Sequence, residues 1–448
     1  MQTSELERVL AQLREALERD DLATAVAILE HYHPADKAEL FEELEDEDQV
    51  ALLPELEPAD SADILEELDD EQAAELVAAL DPEDAIRIVD EMEPDEAADV
   101  LGELDPPQAE MVLSGLEDPD EVRPLLLHPE ETAGGLMTSE FLALRRRTTA
   151  AEALEAIRRW KPEADIQEIF VVDAEQHLVG VVELRQLIVA DPGARMVDIM
   201  DPEVIAAPVE MDQEDVARLM ARYDLLTLPV VDAENRLVGV VTIDDVVDVI
   251  AEEDTEDIQR FGGAQPLERP YLSTSPFVVM RKRVGWLLLL FLTETLTGSV
   301  LRHFEEELQA VVALAFFVPL LIGTGGNAGS QTTSTIIRAL AVGEITLRDA
   351  FRTLWHELLV GLLLGLVMAG VAYLRAITWG SSPDLALTVA VAIFAIVVWA
   401  NGLGSILPML ALRFGIDPAI VSGPVMSTMV DATGLFIYFT IAGIILGL

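Results

Sequence analysis

The chain has no cysteine, which excludes disulfides, thiolate zinc sites and cysteine nucleophiles. Histidine is scarce, with six residues, and no nucleophile–base spacing stands out, so the sequence points away from an enzyme. Bases are few: 28 Lys and Arg face 82 Asp and Glu, a net charge of −54. Such acidity repels nucleic acid and attracts cations. A solvated, salt- or heat-adapted surface is the competing explanation for the bulk of it. The first thirty residues lack the apolar core of a signal peptide and read as a charged amphipathic helix, which places the N-terminus in the cytosol.

The charge is unevenly placed. From Arg281 onward there are 10 acids and 9 bases, so residues 1–280 carry 72 acids and 19 bases. A highly acidic polar half precedes a nearly neutral apolar half. At 448 residues the chain is long enough for about three domains.

Residues 1–43 read as helical. A repeat then begins, with Leu44, Leu56, Leu68, Leu80, Met92, Leu104 and Leu116 every twelve residues. A second apolar pair recurs inside each unit (Leu52–Leu53, Ile64–Leu65, Leu76–Val77 and onward), and Asp, Glu and Pro between units start helices. The pattern predicts a superhelical stack of short helices burying one leucine face. Its exposed faces carry paired acids such as Asp95 and Asp99, whose spacing of four puts both on one side.

Residues 137–250 repeat at a longer period. Ile169-Phe-Val-Val-Asp173-Ala-Glu-Gln-His-Leu-Val-Gly180 returns 59 residues later as Leu228-Pro-Val-Val-Asp232-Ala-Glu-Asn-Arg-Leu-Val-Gly239. Each copy reads helix, strand, turn, strand, helix. Paired copies of this kind resemble CBS domains. In the second copy Gly239-Val-Val-Thr242-Ile-Asp-Asp245 is similar to the ribose-binding motif of nucleotide-binding CBS modules, so Thr242 and Asp245 are candidate nucleotide contacts. The first copy departs from that motif at Glu183 and Gln186. The stretch Asp244–Asp257 follows, with eight acids and no base in fourteen residues. Like charges at that density repel within a helix, and divalent cations relieve the repulsion because they favour carboxylate oxygen. A solvated acidic linker is the alternative.

The apolar half reads as five spans, near 284–301, 311–337, 357–377, 385–412 and 419–447. An odd number puts the C-terminus outside. Inner segments then hold Arg281, Lys282, Arg283, Arg338, Arg348, Arg352 and Arg413, and outer ones only Arg302 and Arg375, as the positive-inside rule asks. The second span is expected to break at Pro319–Gln331, where glycines and a proline would open backbone carbonyls toward a cavity; tight helix packing through small residues is the alternative. In the fifth span Asp431 is the one acidic or basic residue, flanked by Ser427, Thr428, Thr433 and Gly434. A carboxylate at that depth costs roughly 2.5 kcal/mol or more and calls for a water-filled path or a partner. Glu294, in the first span, is a second intramembrane acid.

The order of these parts resembles the MgtE family of magnesium channels over essentially the whole chain. The residues that carry the resemblance are Pro129-Glu-Glu-Thr-Ala-Gly-Gly-Leu-Met137, Pro319-x3-Gly323-x2-Gly326-Asn327-x-Gly329-x-Gln331, Asp417-Pro-Ala-x-Val421-Ser422-x-Pro424, and Asp431-x-Thr433-Gly434. The resemblance implies a multidomain fold: a cytosolic α-helical superhelical N-domain (1–130), an α/β tandem CBS pair (131–250), an acidic connecting or plug helix (251–280), and a five-helix transmembrane pore domain (281–448). It implies a homodimer in the cell membrane, the inner membrane of a bacterium, with Asp431 of each copy forming the ion-selecting site for Mg2+. It further implies that cytosolic Mg2+ closes the pore through Asp95, Asp99, Asp224, Asp245, Asp248, Glu253 and Glu256, with Asp417 sharing an ion with the connecting helix. Partners are then Mg2+, other divalent cations and membrane lipid, with ATP as a regulatory ligand. Two other readings stay open: a membrane-anchored CBS nucleotide sensor, and a sodium- or proton-coupled divalent-cation exchanger.

Overall fold

The computed structural model describes residues 3–160, 167–267, 271–272, 274–421 and 423–448; Ser422 of the fifth-span motif lies outside them. Two compact units divide the chain, Met1–Ala251 and Glu252–Leu448.

The first unit begins as a helical stack. Its helices include Pro34–Glu42, Pro58–Glu66, Pro82–Val89, Pro94–Glu103 and Pro106–Leu113, each with proline in its first turn. There the missing N–H costs nothing and the fixed φ starts the helix. Helices this short are marginal alone, so packing sustains them. Leu44, Leu56, Leu68, Met92, Leu104 and Leu116 are buried and Leu80 half-buried, as the twelve-residue repeat predicts. Side chains also cap across the stack. Glu66 Oε1 accepts from the Glu93 N–H at 2.8 Å, and Asp90 Oδ1 from the Glu117 N–H at 2.6 Å.

Two three-stranded sheets follow, from strands β1 (Ala143–Arg145), β2 (Glu168–Val172), β3 (Leu178–Glu183), β4 (Ala207–Pro208), β5 (Thr227–Val231) and β6 (Leu237–Thr242). In each, the first strand pairs parallel and the last antiparallel to the middle one. The repeat thus returns as repeated structure, a CBS pair. Its turns match as well. Asp173 Oδ1 accepts from the N–H groups of Glu175 and His177, and Asp232 Oδ1 from those of Glu234 and Arg236. The copies are interlocked: Thr138, ahead of the first copy, bridges Val240 of β6, while Asp201, ahead of the second, bridges Val181 of β3. Gly239 and Gly180 make room for this. A Cβ on either would fall about 2.5 Å from the sulfur of Met137 or 2.4 Å from that of Met200, respectively. The leucine-stack core runs on without a break into the second copy, through Val216, Met220, Leu228, Val241, Val246 and Val249.

A single helix, Ile243–Phe261, starts at the end of β6, and its last half belongs to the second unit. That unit holds, among the described residues, five helical segments long and apolar enough to cross a membrane: Pro276–His303, Val312–Ala341, Leu347–Thr378, Pro383–Arg413 and Gly423–Leu446. We number them as spans one to five.

The second span corrects one expectation. It is not broken; an unbroken α-helix runs from Val318 to Ala341, and Pro319 sits harmlessly in its first turn. The glycines serve close packing instead. A Cβ on Gly325 would lie 2.5 Å from Ile396 Cγ2 and 2.8 Å from Val430 Cγ1, and one on Gly329 would lie 2.6 Å from Met426 Cε. Small residues let helix backbones approach in a medium where water cannot drive association. Buried polar groups add register. Thr332 Oγ1 lies 2.7 Å from Asn401 Oδ1 and 3.4 Å from Glu357 Oε2, joining spans two, four and three.

Gly325→Leu should therefore lower the thermal melting point of the detergent-solubilised protein, by an overpacking cost of about 1–3 kcal/mol. Gly323→Ala, whose Cβ meets nothing within 4 Å, should leave melting unchanged or raise it. Equal behaviour of the two variants would refute the packing role.

Candidate cation sites

In the first unit the helix Pro94–Glu103 carries Asp95 and Glu96 in its first turn and Asp99 one turn on, with Glu93 just before it. Asp95 is 6% exposed. Thr138 donates a hydrogen bond to it, yet its Oδ1 is buried without a partner among the described residues. Burial, with Asp245 and Glu93 close by, holds the Asp95 carboxyl well above the ordinary carboxylate range. Glu96 is pushed up to about 10 by burial and by Asp95, Asp99, Asp70 and Asp245. Glu93 is pushed up to about 7 by burial, then by Glu66, Asp245 and Asp244. Asp95 and Glu96 carry most weight, being the more deeply buried side chains of the three.

Asp245 joins this group from the connecting helix. Its Oδ2 accepts from Thr242 Oγ1 at 2.5 Å and Thr242 N at 3.3 Å, capping the helix start. Burial outweighs those bonds and raises it to about 6. A carboxylate that is short of water, hydrogen bonds and counter-charge has few outcomes: take a proton, take a cation, or separate. An unpartnered buried oxygen among oxygen donors of one sign suits a hard divalent cation, which prefers carboxylate oxygen.

The structure brings Asp95, Asp99 and Asp245 of the sequence candidates into this cluster. Asp248 is exposed one turn further along, its carboxyl raised by partial burial and by Asp244. Asp224 is exposed in left-handed backbone (φ 54°), closing the helix Gln213–Tyr223. Glu93 and Glu96 were not singled out from the sequence, although acid crowding around Pro94 was a usable signal.

In the second unit bases answer the acids of the connecting helix. Arg260 pairs with Glu256 and, at 2.6 Å, with Asp417 Oδ2; Asp254 Oδ1 lies 2.7 Å from Arg338 of the second span. Asp417 Oδ1 also accepts from the Ala419 N–H at 2.7 Å, starting the turn into the fifth span. Asp257 is raised by burial and by Asp417 and Glu253, against the pull of Arg260. Glu253 thus sits in the same charge network. The Glu256–Arg260 spacing of four was legible; Arg338, 84 residues from Asp254, was not.

Asp431 is half-buried in the middle of the fifth span, and Glu294 of the first span is within electrostatic reach. The flanking threonines are engaged elsewhere. Thr428 Oγ1 donates to Pro424 O at 3.0 Å and Thr433 Oγ1 to Met429 O at 2.7 Å. Trp399 Nε1 donates to Thr433 Oγ1 at 2.9 Å. Glu357, at the start of the third apolar run, is an acid whose partners emerge only in the fold.

Comparison with known proteins accords with this layout. Residues 32–131 match a family model described as the MgtE intracellular N domain, residues 133–193 and 196–252 match CBS domains, and residues 318–441 match MgtE, a divalent cation transporter. The magnesium transporter MgtE of Thermus thermophilus is 47% identical over 327 residues, 73% of this chain and 72% of that protein. The Bacillus subtilis protein of the same name is 34% identical over 322 residues, 72% of this chain and 71% of its own length. A crystal structure of the cytosolic domain of the Mg2+ channel MgtE in complex with ATP is also similar. It has a TM-score of 0.51 at 42% identity and covers 54% of this chain and 99% of that one. The chain belongs to the MgtE family of transporters.

Proposed function

We propose that this protein is a magnesium-selective divalent-cation channel for uptake, and that cytosolic Mg2+ closes it. The observation that carries the regulatory half is the buried acid cluster around Asp95, whose Oδ1 lacks a partner among the described residues. Asp95, Glu96, Asp99 and Asp245 are the residues that would hold a cytosolic ion there, with Asp224 and Asp248 as further ligands. At low internal Mg2+ these carboxyls either hold protons or separate; an ion among them takes the place of the protons and bridges the leucine stack to the second CBS copy. Glu253, Glu256 and Asp417 form the candidate acidic set of the second unit, with Arg260 already among them.

For conduction we assign Asp431. Magnesium gives up its waters reluctantly, so a pore for it presents a few oxygens to a hydrated ion rather than an all-protein cage. Two copies of Asp431, one from each chain of a homodimer, fit that demand. In this reading residues 1–130, 131–250, 251–280 and 281–448 are sensor stack, CBS pair, connecting helix and pore. The N-terminus is cytosolic and the C-terminus outside, in the cell membrane. The relative crystallised with ATP favours an added nucleotide input, for which Thr242 and Asp245 of the second copy are the candidates. A sodium- or proton-coupled exchange mechanism would instead make uptake into vesicles depend on those gradients at fixed membrane potential.

Two outcomes are expected. Asp431→Asn should reduce Mg2+ uptake into proteoliposomes to background. It should leave intact the Mg2+-dependent protection of the 253–263 linker from protease, whereas neutralising Asp95, Asp245 and Glu256 together should remove that protection. Residual uptake at the wild-type rate would refute the assignment.

The second outcome concerns pH. Each raised carboxyl keeps its proton in the fold where the unfolded chain has lost it, so metal-free stability falls as pH rises. The fall spans 3.8 to about 6 for Asp245, 4.5 to about 7 for Glu93 and 4.5 to about 10 for Glu96. With a chelator present, the melting point should drop between pH 5 and pH 8, and millimolar Mg2+ should restore it far more at pH 8. A flat profile would show that the cluster carries no such strain.

A further inference from the structure

The connecting helix ends in a turn that folds back over the start of the first span. The Ala264 N–H bonds Gln259 O at 3.0 Å, the Leu267 N–H bonds Gln259 Oε1 at 2.9 Å, and the Gln265 N–H bonds Lys282 O at 3.2 Å. Between these segments lies a cavity of about 720 Å3. Ile258, Leu267, Val279 and Leu287 supply apolar wall; Lys282 and Arg283 supply positive charge. Lys282 Nζ is held at the wall by Pro266 O at 2.7 Å.

Two further features single this cavity out. The indole Nε1–H of Trp286 is buried with no hydrogen-bond partner among the described residues. It lies against Gly263 in the cavity wall, where φ is +75° and a Cβ would fall 2.4 Å from Nε1. In addition, apolar side chains crowd the rim and the surface beyond it. Ile258 is 72% exposed, Tyr271 62%, Leu287 61% and Phe291 72%. The apolar surface is therefore continuous from the cavity into the length of the first span.

We propose that this cavity is a binding site for one anionic phospholipid of the leaflet that meets the start of the first span. Lys282 and Arg283 take the phosphate, as basic residues beside a membrane helix attract acidic headgroups. Trp286, packed behind Gly263 rather than lining the cavity, backs the wall from the first span. The acyl chains follow Leu287 and Phe291. A free phosphate would satisfy the two cations and leave the apolar wall uncovered, which is why lipid is the occupant assigned. Because Ile258 and Gln259 belong to the last turns of the connecting helix, an occupied site ties that helix to the first span. The inference needs only that the first span crosses a membrane, and it stands apart from the gating proposal.

The test is native mass spectrometry of the full-length protein in mild detergent, offered equal amounts of dioleoyl-phosphatidylglycerol and dioleoyl-phosphatidylcholine. Phosphatidylglycerol should be retained in preference, and millimolar inorganic phosphate should not displace it. Lys282→Gln/Arg283→Gln should weaken its retention roughly thirtyfold, about 2 kcal/mol for two interfacial charges, and Trp286→Phe should weaken it less. Equal retention of the two lipids would overturn the proposal, as would displacement by phosphate, which marks a free-anion site. So would full retention by the double variant. The wild-type lipid and phosphate competitions need no variant, so they decide the matter even where a substitution prevents folding.

Discussion

Burial of carboxyl groups away from water, compounded by their mutual repulsion, is the constraint on which the polar half of this protein turns. At an effective dielectric of about 20, two unit charges about 5 Å apart repel by roughly 3 kcal/mol. Asp95, Glu96 and Asp245 are placed where several such terms coincide. The leucine stack and the second CBS copy share one apolar core right beside them. Hydrophobic burial therefore holds together what charge drives apart. A marginal balance of that kind responds to small changes in counter-ion supply, since net stabilities are themselves small.

The membrane unit handles charge differently. Its connecting-helix acids Glu256 and Asp254 are answered in place by Arg260 and Arg338, and Glu357 accepts from the Thr332 hydroxyl, which also bonds Asn401. Glycines bring the second, fourth and fifth spans close enough for these short polar groups to meet. Asp431, with Glu294 as its electrostatic neighbour, stays outside that satisfied network.

How much of this was legible depends on how local each cause is. The twelve-residue leucine period, the 59-residue repeat and the five apolar runs are carried by neighbouring residues, and each returned as structure. The Asp-initiated turn recurs because the same side chain bonds the same two N–H groups in both copies. The expected break in the second span failed because glycine and proline have two meanings in a membrane helix. Composition alone does not show that Ile396, Val430 and Met426 would press against them. The stretch Asp244–Asp257 holds no base of its own, and Asp254 finds its partner only because Arg338 arrives from another span. Asp95 was visible as one of a pair, but its burial beneath Thr138 was not, for that contact joins segments more than forty residues apart.

The exchange of entry residues between the CBS copies has a consequence for how this region can be assembled. Thr138 completes the sheet edge of the second copy and Asp201 that of the first, so neither copy has a finished border of its own. Cutting the pair at its sequence midpoint would leave two halves, each with a bare strand that seeks its counterpart. The duplication is therefore one unit of assembly, in which each copy carries the residue that finishes its twin.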